Sequence, residues 1–207
     1  HASLIWEQGH SIAIMGESGS GKSTLARLMI GLERPSEGRV LINGVDTTKW
    51  GLREWRKYRG KIQAVFQDAG GTLNPSWSTS KNVEEALVNL TDLSPSQRKN
   101  RIAELMEQTG LSKSLLDTPV RKLSGGEQRR LALLRSLSIS PEFLILDEVT
   151  AGLDLISTEA VLQLLEKYEQ EHDCAYLVIT HDIQVASRLC EVIYEIEHGK
   201  FTKKAVR

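Results

Sequence analysis

Gly16-Glu17-Ser18-Gly19-Ser20-Gly21-Lys22-Ser23-Thr24 has the spacing G-x-x-x-x-G-K-[ST] of a loop that wraps nucleotide phosphates. Residues 11–15, just before it, read as a buried strand, and residues 22–29, just after it, as a helix. That strand–loop–helix order is the setting the loop needs. Gly16, Gly19 and Gly21 allow positive φ and let an anion approach the backbone without a Cβ in the way. Successive N–H groups then form an anion nest, and the helix start adds its positive dipole end. The reading makes a nucleoside triphosphate with Mg²⁺ the ligand. Glu17, Ser18 and Ser20 complete the cradle, and Lys22 reaches the β- and γ-phosphates. Ser23 gives its hydroxyl to the metal, and Thr24 lies near the α-phosphate.

Composition narrows the rest. At 207 residues the chain fits one domain with room for a subdomain. Lys+Arg number 26 and Asp+Glu 27, so there is no basic excess and nucleic acid is not expected as a partner. No apolar run reaches the length of a membrane span, and no signal-peptide pattern opens the sequence. It begins with His1 rather than Met, which reads as a trimmed start. Cys174 and Cys190 sit in apolar surroundings and read as buried free thiols in a reducing compartment.

Strands and helices alternate along the chain. Residues 38–44 read as a strand closed by an Asn43-Gly44 turn, and residues 61–66 as a strand leading to Gln67. Residues 69–75 form a loop by their Gly and Pro content. From about 76 to 122 no strand candidate appears. Ser94-Pro95 starts a helix with Ile102, Leu105, Met106 and Thr109 on one face, and Gly110 stops it. Residues 125–138 read as a helix, and 143–146 as a wholly apolar strand that runs into Asp147-Glu148. Residues 155–170 read as an amphipathic helix with Ile156, Ala160, Leu164 and Leu165 on its buried side. Residues 176–180 read as a strand before His181, 183–189 as a helix, and 192–197 as a strand running into a turn at His198-Gly199. The alternation implies a parallel, doubly wound core. Ligands of such sheets collect at the carboxyl ends of strands, where Gly16, Gln67, Asp147 and His181 each follow one.

Those groups suggest roles. Asp147 is a hard-oxygen partner for Mg²⁺. Glu148, its neighbour, should point elsewhere, since strand neighbours face opposite ways, and polarises a water aimed at the γ-phosphate. Gln67 touches the metal or that water, and His181 donates to the γ-phosphate or the water. His172 and His198 read as structural.

Leu123-Ser124-Gly125-Gly126-Glu127-Gln128 adds a hexapeptide of high specificity. With the phosphate loop, Gln67, Asp147-Glu148, Gly152-Leu153-Asp154 and His181, in this order, the chain resembles the ATP-binding cassette ATPases over nearly its whole length. The resemblance implies an α/β fold: a RecA-like P-loop NTPase core with a parallel sheet, a small antiparallel β part that includes residues 38–44, and an inserted helical subdomain. The core takes residues 1–75 and 125–207, the helical subdomain about 76–124. It also implies that Ser124, Gly125, Gly126 and Glu127 serve ATP held by a second ATPase subunit, that two chains sandwich two ATP molecules, and that Asp154 couples the two sites. Ser124 and the two glycines would start a helix with N–H groups facing outward.

Val65-Phe66-Gln67-Asp68 followed by Leu73-Asn74-Pro75 resembles the ATPase subunits of oligopeptide, dipeptide and nickel or metallophore importers. That branch implies transmembrane permease subunits, a substrate-binding protein, and a place on the cytoplasmic face of a bacterial inner membrane. The pairing there is typically of two different ATPases, so a heterodimer is favoured, with a homodimer as the alternative. The short C-terminal end fits the nickel-type subunits better. Val149 stands where the family has Pro, and Ala151-Gly152 where it has Ser-Ala; these changes spare the charged groups, so activity is expected, and their effect on dimer coupling stays open. The adenine-stacking aromatic is expected upstream of residue 1; Trp6 is the nearest candidate within the sequence, but reads as packing on the core. The rival readings are a soluble cassette ATPase of DNA repair, translation or a carbon–phosphorus lyase assembly, and a non-hydrolysing scaffold.

Overall fold

The computed structural model describes residues 3–68, 70–197 and 199–205. By packing, the chain divides into two units: residues 1–64, 142–147 and 175–207, and residues 65–141 and 148–174.

The first unit is built on a sheet ordered β4-β5-β6-β1-β7-β8. Its strands are β1 (Ile12–Met15), β4 (Ile62–Val65), β5 (Phe143–Asp147), β6 (Ala175–Ile179), β7 (Val192–Glu197) and β8 (Lys200–Ala205). β5, β6, β1 and β7 run parallel. Leu144, Ile145 and Leu146 are wholly buried, and so is nearly all of β6, as expected of strands covered on both faces. Helix α1 (Lys22–Met29) lies against β5, and α7 (Ile183–Leu189) against β1 and β6. β8, which the sequence reading missed, returns antiparallel to β7. The turn residue His198 lies outside the described residues, as does Ala69 of the 69–75 loop.

Residues 38–44 form less strand than expected. β2 (Leu41–Ile42) and β3 (Val45–Asp46) make a two-residue antiparallel ladder. Asn43 (φ 51°) and Gly44 (φ 77°) turn it, the left-handed pair of a tight hairpin. Helix α2 (Leu52–Tyr58) was also unforeseen. It is held by aromatic packing: Trp50 meets Trp55 edge-on and stacks on Tyr58.

The second unit is helical: α3 (Thr79–Leu90), α4 (Pro95–Gln108), α5 (Gly125–Leu137) and α6 (Leu155–His172). α4 begins and ends as its sequence says. Ser94 and Gln97 form a reciprocal cap with Pro95 in the first turn, Gly110 (φ 65°) follows the end, and Ile102, Leu105, Met106 and Thr109 are buried. The α6 expectation needs correction. Ile156 is 84% exposed and Ala160 is exposed; the buried stripe is Val161, Leu164, Leu165 and Tyr168, at i, i+3, i+4 and i+7. Leu164 and Leu165 fit two helical stripes, and the sequence reading chose the wrong continuation. Tyr168 seals this face: its hydroxyl donates to Leu137 O at 3.0 Å, and burial pushes its pKa up to about 12.

Candidate functional site

Gly16 follows β1 with φ 152°, Gly19 has φ 82° and Gly21 φ 100°. A Cβ on Gly16 would sit 2.6 Å from Ile196 O, so only glycine fits there. α1 starts at Gly21 with no side-chain cap and no acidic residue in its first turn. Its leading N–H groups and positive dipole end are thus left for an anion. Lys22 folds back over the loop: its Nζ donates to Gly16 O (2.8 Å) and Glu17 O (2.7 Å), with Ser20 Oγ at 3.4 Å. The ammonium is therefore fixed above the cradle rather than loose in solvent. Ser23 is half-buried and Thr24 exposed.

The register brings more of the expected site to the same sheet end. Ile14 on β1 and Asp147 on β5 both pair with Ile179 on β6. Asp147 is 3% exposed. Just past Ile179, Thr180 N donates to Ile14 O at 3.3 Å and its Oγ1 accepts from Asp182 N, which sets the turn that carries exposed His181. The phosphate loop, Asp147 and His181 thus follow neighbouring parallel strands at one level, the position where α/β sheets bind ligands. Among the described residues no group of three or more His, Cys, Asp or Glu could hold a metal by itself. The donor set of one hydroxyl and one carboxylate suits Mg²⁺ carried in on phosphate oxygens.

Glu148 departs from expectation. It is not a strand neighbour facing away from Asp147; it stands past β5 in the left-handed region, φ 53°. Ala151 N donates to Glu148 O and Leu153 N to Thr150 O, so residues 148–153 form two successive turns. Gly152 (φ 72°) takes the left-handed position of the second, which gives the glycine at this departure a physical reason. Val149 is buried at the other departure. Asp154 caps α6, accepting from Ser157 N (2.9 Å) and Ser157 Oγ (2.7 Å), bonds that hold its carboxyl below the usual aspartate value.

The signature segment is a capping box. Ser124 Oγ accepts from Glu127 N, while Glu127 Oε2 accepts from Ser124 N and Ser124 Oγ, each at 2.8 Å. Ser124 N–H is thus used within the turn, contrary to the expectation that it faces outward. The N–H groups of Gly125 and Gly126, at the first two helical positions, have no acceptor within the helix. The bonds from Ser124 hold the Glu127 carboxyl below its ordinary 4.5. A depressed carboxyl contributes stability above its unfolded value that is lost as pH falls through the folded one. Urea midpoints measured downward from pH 5 should therefore fall less steeply in Glu127→Gln than in the wild type.

Gln67 and Asp68 are exposed after β4, and the segment behind them is clamped. Asn82 on α3, 3% exposed, accepts from Asn74 N at 2.8 Å and donates to Asn74 O and Ser78 O. The sequence reading missed Asn82, although a lone amide on the apolar face of a helix was the available signal. Asn82→Ala leaves Asn74 N without its acceptor, while Asn74 O keeps the Trp77 N–H; the change should cost about 1–3 kcal/mol, read as a lower urea midpoint.

The other expectations resolve simply. Trp6 packs edge-on against Phe143 at 4.8 Å, His172 lies against Tyr168, and Cys174 and Cys190 are buried and form no disulfide. Burial raises the Cys174 pKa to about 12.

The comparisons agree with this geometry. Residues 1–151 match the ABC transporter family. A curated relative, "Nickel import ATP-binding protein NikE" of Rhodospirillum rubrum, is 36% identical over 204 residues, covering 99% of this chain and 74% of its own. The protein of that name from Escherichia coli K12 is 35% identical over 206 residues, covering 100% of this chain and 77% of its own. A solved structure described as a dimeric, post-hydrolysis state of the ATP-binding cassette MJ0796 bound to ADP and Pi superposes with TM-score 0.90 at 33% identity, covering 99% of this chain and 88% of that one. The chain belongs to the ABC transporter family, as its ATPase domain with a RecA-like P-loop fold.

Proposed function

We propose that this chain binds and hydrolyses ATP with Mg²⁺ to power an importer whose cargo is nickel or a nickel chelate. The observation that carries the reading is the uncapped, glycine-lined start of α1 with Lys22 held over it, beside Asp147 at one sheet end. The names of the relatives support import and nickel; peptides are the second cargo class of the resembling branch. No helix among the described residues is long and apolar enough to cross a membrane, so transmembrane permease subunits would supply the path and seat the ATPase on the membrane surface. The helical segment at about 76–124 would carry the signature toward the mate of an ATPase dimer.

The division of labour follows from charge. Mg²⁺, when bound with the nucleotide, neutralises phosphate oxygens, and Ser23 and Asp147 would hold it. Gly16, Gly19 and Gly21 present N–H groups to the phosphates, and Lys22 stabilises the charge that builds at the γ-phosphoryl group. Glu148 takes a proton from the attacking water, with Gln67 and His181 orienting water and γ-phosphate. The signature of a second subunit closes over the γ-phosphate through Gly125 and Gly126.

The test is phosphate release in proteoliposomes that hold the chain with its membrane subunits. Stimulation by a nickel-loaded binding protein is expected. Stimulation by nucleic acid instead, or none by any membrane complex, would overturn the importer reading in favour of a soluble assembly.

A further inference from the structure

We propose that Arg129 is a positioning residue, tying the signature helix to the loop between Glu148 and Asp154 and so making the two nucleotide sites of a dimer fire together. The proposal rests on the ATPase-dimer reading above. Arg129 is the fifth residue of α5, just behind Ser124-Gly125-Gly126. Its Nη1 donates to Ala151 O at 2.5 Å. Ala151 lies midway between Glu148 and Asp154, in the first of the two turns, and its own N–H donates to Glu148 O at 3.0 Å. One bond thus reaches the backbone carrying both acidic residues from the helix that carries the signature.

The same two segments also approach each other at a second point. A Cβ on Gly126 would lie 3.8 Å from Leu153 Cδ2, so the helix start already approaches the side chain next to Asp154. The turn being held carries backbone strain. Glu148 at φ 53° is a non-glycine residue in the left-handed region, and such residues persist where surrounding contacts over-determine them. Arg129 supplies one such contact, at the carbonyl three residues on.

The cost of the arrangement points the same way. Arg129 Nε is buried without a hydrogen-bond partner. An unmet guanidinium N–H in a buried setting is destabilising, so a stability role alone would be served better by an apolar side chain of similar length. What only a donor here can do is fix the Ala151 carbonyl. Any shift of the signature on engaging a mate's γ-phosphate then reaches Glu148 and Asp154 directly.

The test compares Arg129→Met, which keeps length and removes the donor, with Arg129→Lys, which restores one. Both are assayed in the assembled transporter for nucleotide affinity, kcat, KM and the Hill coefficient of phosphate release. Arg129→Met should keep nucleotide affinity, lose kcat on the order of tenfold to a hundredfold, and show a Hill coefficient falling toward one. Arg129→Lys should recover much of both. Should Arg129→Met fail to fold, Arg129→Gln, whose donor falls short of Ala151, carries the same readouts. Wild-type kcat and cooperativity without the donor, or a loss of nucleotide affinity that Arg129→Lys does not repair, would overturn the proposal. A wild-type protein that neither dimerises on ATP nor hydrolyses it would instead overturn the function on which it rests.

Discussion

Replacing Glu148 with Gln should abolish most turnover while leaving ATP binding intact. The carboxylate is the proposed acceptor of the proton from the attacking water, and an amide of the same shape cannot take it. Loss of a general base costs about 10²–10⁴-fold in rate. The substitution keeps volume and hydrogen-bonding reach, and glutamine tolerates φ 53° no worse than glutamate does, so folding should be unaffected. ATP that is bound and not cleaved should hold two subunits together. Size-exclusion chromatography with light scattering should therefore show an ATP-dependent dimer that persists in Glu148→Gln and is transient in the wild type. Asp147→Asn separates the neighbouring roles. It should raise the Mg²⁺ concentration needed for activity, which Glu148→Gln should not. Wild-type turnover in Glu148→Gln would show that the base lies elsewhere.

Why Glu148 was legible as a residue but not as a geometry illustrates the limits of sequence. Its place after four apolar residues marks a strand end, and the pattern of Phe143 to Leu146 is strong because both faces of that strand are buried. The backbone after Asp147 turns into the left-handed region, and nothing in the pattern Asp-Glu-Val-Thr announces it. The conformation of the glycine-rich loop was legible, since Gly16, Gly19 and Gly21 stand where the backbone takes positive φ. α4 was legible because Ser94, Pro95 and Gly110 are local start and stop signals. α2 and β8 were not. α2 is held by the Trp50, Trp55 and Tyr58 rings, and β8 by pairing with β7, both effects of tertiary structure. The α6 face failed for a related reason: Ile156 reads as core by composition, yet a helix wheel with Tyr168 included turns it to solvent. Arg129, too, carries no local signal, because its partner Ala151 lies in another part of the chain.

Lys22→Met should weaken nucleotide binding more than any other single change in the loop that leaves its glycines in place. The ammonium does two jobs. It donates to the carbonyls of Gly16 and Glu17 and so holds the loop's backbone together. It also supplies the loop's only full positive charge, since Ser18, Ser20, Ser23 and Thr24 are neutral and Glu17 is acidic. Charged hydrogen bonds are worth about 1.5–3 kcal/mol, so affinity for ATP should fall on the order of ten- to a hundredfold. Lys22→Arg should not rescue it, because a planar guanidinium fork cannot reproduce a point donor above two carbonyls. Calorimetric titration measures the affinity directly. Thermal melting adds an independent reading, since a ligand that binds only the folded state raises the midpoint by mass action. ATP at a concentration that saturates the wild type should lift the melting temperature of the wild type and of Glu148→Gln, and lift that of Lys22→Met by much less. Undiminished affinity in Lys22→Met would mean that the glycine cradle is not where the triphosphate binds, and the assignment of Ser23 and Asp147 to its metal would go with it.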